Sequence, residues 1–180
     1  MAVQVQPIRI VPLIPVPEEV VNALVSPLSS IFHTDVSVEQ SLRGVTDAVY
    51  DRSRAQYNST SFIRELLRIY QNSPTKIIGI TSVDLFVPIL TYVFGEAQLN
   101  GTTAVMSMHR LDDTLYGMAP NPVLYFERSL KEAIHELGHT YGLLHCRSYG
   151  CAMHASTTAE DIDLKAASLC EECLIKVGIV

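Results

Sequence analysis

The chain has 180 residues, 48% of them hydrophobic and 18% charged, which suits one domain with its own core. A net charge of −6 with no basic patch argues against a nucleic-acid partner and against an anionic membrane surface. No apolar run approaches the ~18 residues of a bilayer-spanning helix.

The opening stretch, MAVQVQPIRIVPLIPVP, is apolar but carries Gln4, Gln6, Arg9 and four prolines. It lacks the basic start and unbroken apolar centre of a secretion signal, so it reads as a strand near 3–13. The expectation is therefore a cytoplasmic protein, taken as a monomer, with no long pro-segment ahead of the first strand. Pro17 opens a helix over about 18–31, with Glu18 and Glu19 in its first turn and Pro27 straining or ending it. Thr34 to Leu42 alternates and predicts a second strand, and the polar stretch 43–58 a loop or short strand. Ser59 or Thr60 caps a helix to about Gln71, whose inner side carries Phe62, Ile63, Leu66, Leu67 and Tyr70.

Lys76 to Thr81 is a continuous apolar run of the kind found in buried central strands. Tyr92 to Ala97 predicts a further strand, and Asn100-Gly101 a hairpin turn whose partner strand is Thr103 to Met108. Pro120 and Pro122 introduce a helix anchored by Leu130, Ile134 and Leu137, and a last helix is predicted over about 158–169. Strands alternating with helices and then a hairpin imply an α/β (mixed α+β) fold, a twisted mixed sheet with helices packed on it. The chain is read as a single domain over 1–180. Its N-terminal part covers 1–142, and a short C-terminal part, 143–180, holds every cysteine.

Residues 135–145 read His-Glu-Leu-Gly-His-Thr-Tyr-Gly-Leu-Leu-His. On a helix His135 and His139 lie one turn apart on the same face and can reach one metal ion. Glu136 lies about 100° further round the helix, placed for a water on that ion rather than for the ion itself. His145 can join only if the chain turns back, and Gly142 is placed to end the helix in a left-handed conformation. Three protein ligands leave a coordination position open, which marks a catalytic zinc rather than a structural one.

Cys146, Cys151, Cys170 and Cys173 are spaced C-x4-C, an 18-residue gap, then C-x2-C. In a reducing compartment two close pairs read as a four-thiolate structural zinc site. Two disulfides or four free thiols are the alternative. The expectation is thus two zinc ions per chain.

His-Glu-x-x-His-x-x-Gly-x-x-His followed by Met153 resembles the metzincin clan of zinc peptidases. The narrower string, His145-Cys146, then Cys151-Ala152-Met153, then Cys170-Glu171-Glu172-Cys173, resembles the archaemetzincins. The resemblance covers 135–173, and more weakly Phe94-Gly95-Glu96-Ala97 as an upper edge strand. It implies a metzincin-like fold, His135, His139 and His145 as ligands of a catalytic zinc, Glu136 as general base, Met153 in a tight turn beneath the metal, and a second zinc on the four cysteines. It also implies a peptide or protein substrate lying extended along an exposed sheet edge, near 92–97 or 102–108. Some clan members carry a tyrosine two residues after the methionine, and here that position is Ala155. Tyr141 is placed in the core, and His154 is read as a hydrogen-bonded surface residue. The rival function is a non-catalytic or very narrow-scope zinc protein that binds peptides on the same scaffold.

Overall fold

The computed structural model describes residues 5–13, 16–43, 45, 49–71 and 73–179. Its centre is a five-stranded sheet in the order β2-β1-β5-β8-β7, where β1 is Ile8–Pro12, β2 Val36–Val38, β5 Lys76–Thr81, β7 Gly95–Ala97 and β8 Thr103–Ser107. β1 pairs in parallel with β2 and β5, and β5 in parallel with β8. β7 pairs antiparallel with β8, Gly95 opposite Met106 and Ala97 opposite Ala104, and forms the free edge. The sheet is therefore mixed, as the alternation of elements predicts. β5 is buried along its whole length because it is central and covered on both faces.

Alternate residues of the sheet feed two cores. Ile8, Ile10, Ile78, Ile80, Ala104 and Met106 pack with α1 (Glu18–Ala23), α2 (Val25–Phe32) and α4 (Pro122–Thr140). Val11, Ile77 and Val105 face α3 (Ser59–Ile69) through Phe62, Ile63 and Leu66. The second, three-stranded sheet joins β3 (Tyr50–Asp51), β4 (Gln56–Asn58) and β6 (Leu85–Phe86). α5 (Ala159–Asp163) and α6 (Glu171–Val177) close the chain, and Ile162, Leu169, Cys173 and Val177 enter the same core as α4. Among the described residues no helix is long and apolar enough to cross a membrane.

Several elements differ from their predicted extents, each for a local reason. The first strand begins only at Ile8, and Val3 lies outside the described residues. The helix after Pro17 breaks at Leu24, because Pro27 has no N–H to offer the carbonyl of Ala23. The cap of α3 is Asn58, whose side chain accepts the Ser61 N–H at 2.9 Å. Ser59 and Thr60 instead donate their hydroxyls to Glu96 on β7, at 2.5 and 2.9 Å, and so tie α3 to the edge strand. The edge near the cleft is β7 alone, since β8 is enclosed between β5 and β7.

The helix predicted over 158–169 stops at Asp163 after a capping box between Thr158 and Asp161. Beyond it the backbone is diverted to pair with residues 150–152: Ala166 N–H donates to Gly150 and Ala152 N–H to Ser168, at 3.0 and 2.9 Å. The tail after Cys170 is not irregular but forms α6, with its acidic residues Glu171 and Glu172 in the first turn.

Candidate active site and cysteine cluster

α4 starts from a defined cap, with Pro122 in its first turn and the Asn121 side chain accepting the Leu124 N–H at 3.1 Å. Its C-terminal half is buried from Arg128 to Gly138, so His135 and Glu136 are presented from a rigid support. The helix ends as a Schellman motif on Gly142, which has φ +89°. The Leu143 N–H bonds the Gly138 carbonyl at 3.0 Å and the Gly142 N–H bonds His139 at 2.9 Å. Asn100, with φ +53° at the tip of the β7–β8 hairpin, also donates its N–H to the His139 carbonyl at 2.9 Å. The hairpin thus docks on the helix end, and the chain reverses to bring His145 under the other two imidazoles.

The three rings converge, with centroids 4.7 Å (His135–His139), 5.3 Å (His135–His145) and 5.1 Å (His139–His145) apart. His135 Nδ1 donates to the Ala152 carbonyl at 2.8 Å and His139 Nδ1 to the Leu143 carbonyl at 2.7 Å. A carbonyl only accepts, so each Nδ1 carries the proton and each Nε2 keeps a free lone pair. The two Nε2 atoms lie 3.1 Å apart, close to the ~3.3 Å separating two nitrogens on a tetrahedral zinc. Burial pushes His135 down to about 3 and lowers His139 and His145 as well, which keeps the imidazoles neutral and able to ligate. These side chains offer ligand atoms within 4.8 Å of one another.

Glu136 points into the same cleft. Burial, then the carboxylates of Glu132 and Glu96, hold it well above the ordinary carboxylate range. A Cβ on Gly95 would sit 2.5 Å from the Glu136 Oε1, so the edge strand can pass over this carboxylate only as glycine.

The four sulfurs form a second group in which all ligand atoms again lie within 4.8 Å. Cys146 faces Cys170 at 3.7 Å and Cys151 faces Cys173 at 3.9 Å. Sulfurs of a tetrahedral zinc–thiolate site lie ~3.8 Å apart and those of a disulfide ~2.05 Å, so the four cysteines are free thiols at a spacing that fits a shared ion. The two groups are joined by backbone. Cys146, the residue after His145, donates its N–H to the Met153 carbonyl at 2.8 Å, and its own carbonyl accepts from His154 Nδ1 at 2.9 Å. His154 is accordingly a hydrogen-bonded residue outside the imidazole cluster.

Met153 is fully buried, and its Sδ occupies the space where a Cβ on Gly138 would stand. The turn is locked further by a buried ion pair that no local motif singles out. Lys165 Nζ donates to Glu132 and to the carbonyls of Ala152 and His154, each at 3.2 Å. Ala152 O therefore receives both the His135 ring and the Lys165 ammonium. A glycine inside a helix and a glycine inside a strand were available signals for Gly138 and Gly95. Lys165 had none, because its partners are distant in sequence. Tyr141 is placed away from the imidazoles, stacked on Phe32 at 5.3 Å with its hydroxyl on the Gln6 carbonyl. Ala155 lines the cleft with no hydroxyl to offer.

The cleft has a volume of about 620 Å³ and runs between β7 and residues 155–157, over Glu132, His135, Glu136 and His139. An open three-imidazole cluster with a carboxylate beside it, under a free sheet edge, defines a zinc metallopeptidase. The chain belongs to peptidase family M54, whose pattern matches residues 29–178. It is 38% identical over 170 residues to an archaemetzincin of Haloquadratum walsbyi, covering 92% of this chain and 96% of that one. An Archaeoglobus fulgidus archaemetzincin solved with malonate superposes with TM-score 0.80 at 38% identity, over 94% of this chain and 99% of the other. A zinc-dependent peptidase of Methanocorpusculum labreanum superposes with TM-score 0.83 at 26% identity, over 94% and 99%.

Proposed function

We propose that this protein hydrolyses peptide bonds at a zinc ion held by His135, His139 and His145, with Glu136 as general base. The single observation behind the assignment is the convergence of the imidazoles, with the Nδ1 protons of His135 and His139 fixed on carbonyls and their Nε2 atoms directed at each other 3.1 Å apart. A zinc ion held there would supply an acidified water and a Lewis acid for the scissile carbonyl. Glu136 is the base that would take a proton from the attacking water and return it to the leaving amine. Gly95 leaves the space in which the carboxylate does this. The substrate chain lies extended and pairs with the free edge of β7, so its backbone is recognised by main-chain bonds.

The four cysteines hold a second, structural zinc, and Met153 supports the imidazoles from below. Gly142 divides the chain into the part that carries the substrate edge, 1–142, and the cysteine-stapled part, 143–180. The protein works as a cytoplasmic monomer on peptide or protein substrates, in keeping with its net charge of −6. Profiling the zinc-loaded protein against a mixed peptide library, with Glu136→Ala in parallel, tests the assignment. Cleavage by the unmodified chain and a loss of ~10²–10⁴-fold in the variant, with zinc content and fold retained, is the expected result. Equal activity in both would remove Glu136 from the chemistry.

A further inference from the structure

The two ends of the cleft differ. A Cβ on Gly95 would overlap Glu136, and the Asn100 N–H bonds the His139 carbonyl at 2.9 Å. The chain from Gly95 to Asn100 therefore runs in the same sense as α4, and Tyr92 stands beyond Gly95, toward Glu132. There the Tyr92 hydroxyl crosses the cleft and donates to the Thr157 carbonyl at 2.6 Å.

Both anchors of this bridge are fixed. The Tyr92 ring lies under the Arg110 guanidinium at 3.9 Å and edge-on to Phe94 at 5.6 Å. Arg110 is clamped on Asp84 by two bonds of 2.6 and 2.7 Å. Behind Tyr92, Arg54 and Gln56 hold the carbonyls of Leu90 and Thr91 at 2.7 and 3.0 Å. On the far side the Thr157 N–H and hydroxyl both bond the Asp161 carboxylate, at 2.8 and 2.9 Å. At the other end of the cleft stand Leu99 and Leu144, which are 55% and 68% exposed.

We propose that the Tyr92–Thr157 bridge closes one end of the cleft, so that the enzyme accepts free chain ends and short peptides and excludes internal segments of long chains. The proposal rests on the peptidase reading of this cleft. Tyr92 lies three positions before Gly95, the first residue of β7, so a strand laid along β7 advances at most ~10 Å, about three residues, past Glu136 before it meets the bridge. Length rather than charge does the discriminating. Lys165, the cation lining this end, already gives its ammonium to three acceptors, one of them Glu132.

The test uses one sequence of about twenty residues in two forms, as a free peptide and as a linker between two folded domains. Zinc-loaded protein is expected to cut the free form so that the fragment released is no longer than about three residues. The linker form should be cut at least about tenfold more slowly, a difference of ~1.4 kcal/mol. Tyr92→Ala should open the end and admit cuts in the linker. Tyr92→Phe keeps the ring on Arg110, loses only the bond to Thr157, and should give a smaller shift in the same direction. It carries the test if Tyr92→Ala does not fold.

Binding of both labelled forms to the Glu136→Ala protein separates the two readings. Preference for the free form without cleavage by the unmodified enzyme would sink the peptidase assignment and leave the closed end standing. Equal affinity for both forms, or cuts spread through the linker by the unmodified enzyme, would overturn the closed end.

Discussion

The histidine and cysteine clusters meet at His145 and Cys146 yet are built on opposite plans. Two of the three imidazoles, His135 and His139, are mounted on α4, a 19-residue helix whose C-terminal half is buried, and their Nδ1 partners are backbone carbonyls. That scaffold is built from helix and sheet packing, and three ligands would leave a coordination position open. The cysteines come from turns and from the start of α6, a helix of seven residues. Isolated helices that short are not stable in water. In the assignment proposed above, four thiolates would saturate a zinc ion and leave no position for chemistry. On that assignment one cluster uses a fold to hold an ion for reaction, and the other uses an ion to hold a fold.

The largest test of that contrast removes a thiolate. Structural zinc supplies ~10–16 kcal/mol of folding energy in small domains, so Cys173→Ser should loosen α6 and the 150–152 segment by several kcal/mol, read as a fall in melting temperature. Because the Cys146 N–H holds Met153 and Cys146 follows His145, the same variant should weaken metal binding at the imidazoles by ~10–100-fold in a direct titration. A chelator should empty the imidazole site of the unmodified protein first. An unchanged melting temperature and unchanged imidazole affinity would mean the clusters are merely neighbours.

Next comes the ion pair between them. Lys165→Met leaves Glu132 buried without its partner, the two side chains being 1% and 4% exposed in the native protein. It should cost ~3–5 kcal/mol in denaturant unfolding, and pairing it with Glu132→Leu should recover most of that. Failure of the double variant to recover would show that the carbonyls of Ala152 and His154, rather than Glu132, are what Lys165 chiefly serves. The smallest effect is assigned to Gly138→Ala. Its added methyl competes with the Met153 sulfur and should destabilise the protein by ~1–3 kcal/mol. An additional Met153→Ala change should relieve part of the strain, measured in the same unfolding assay.

Features that depend on local spacing were legible in the chain alone. His135 and His139 four apart, Gly142 at the helix end, Asn100-Gly101 between strands and the paired cysteines each carry their consequence within a few residues, because helix period, left-handed turns and ligand spacing are short-range properties. The continuous apolar run at Lys76 to Thr81 likewise signals its own burial. Tertiary structure decided where separate segments meet. It stopped the helix at Asp163 so that Ala166 and Ser168 could pair with Gly150 and Ala152, and it took the capping of α3 away from Ser59 and Thr60 by giving their hydroxyls to Glu96. It also brought Lys165 to Glu132 and Tyr92 to Thr157. Such contacts join residues 33 and 65 positions apart, and their energy comes from burial and hydrogen bonds that exist only once the sheet and α4 have assembled.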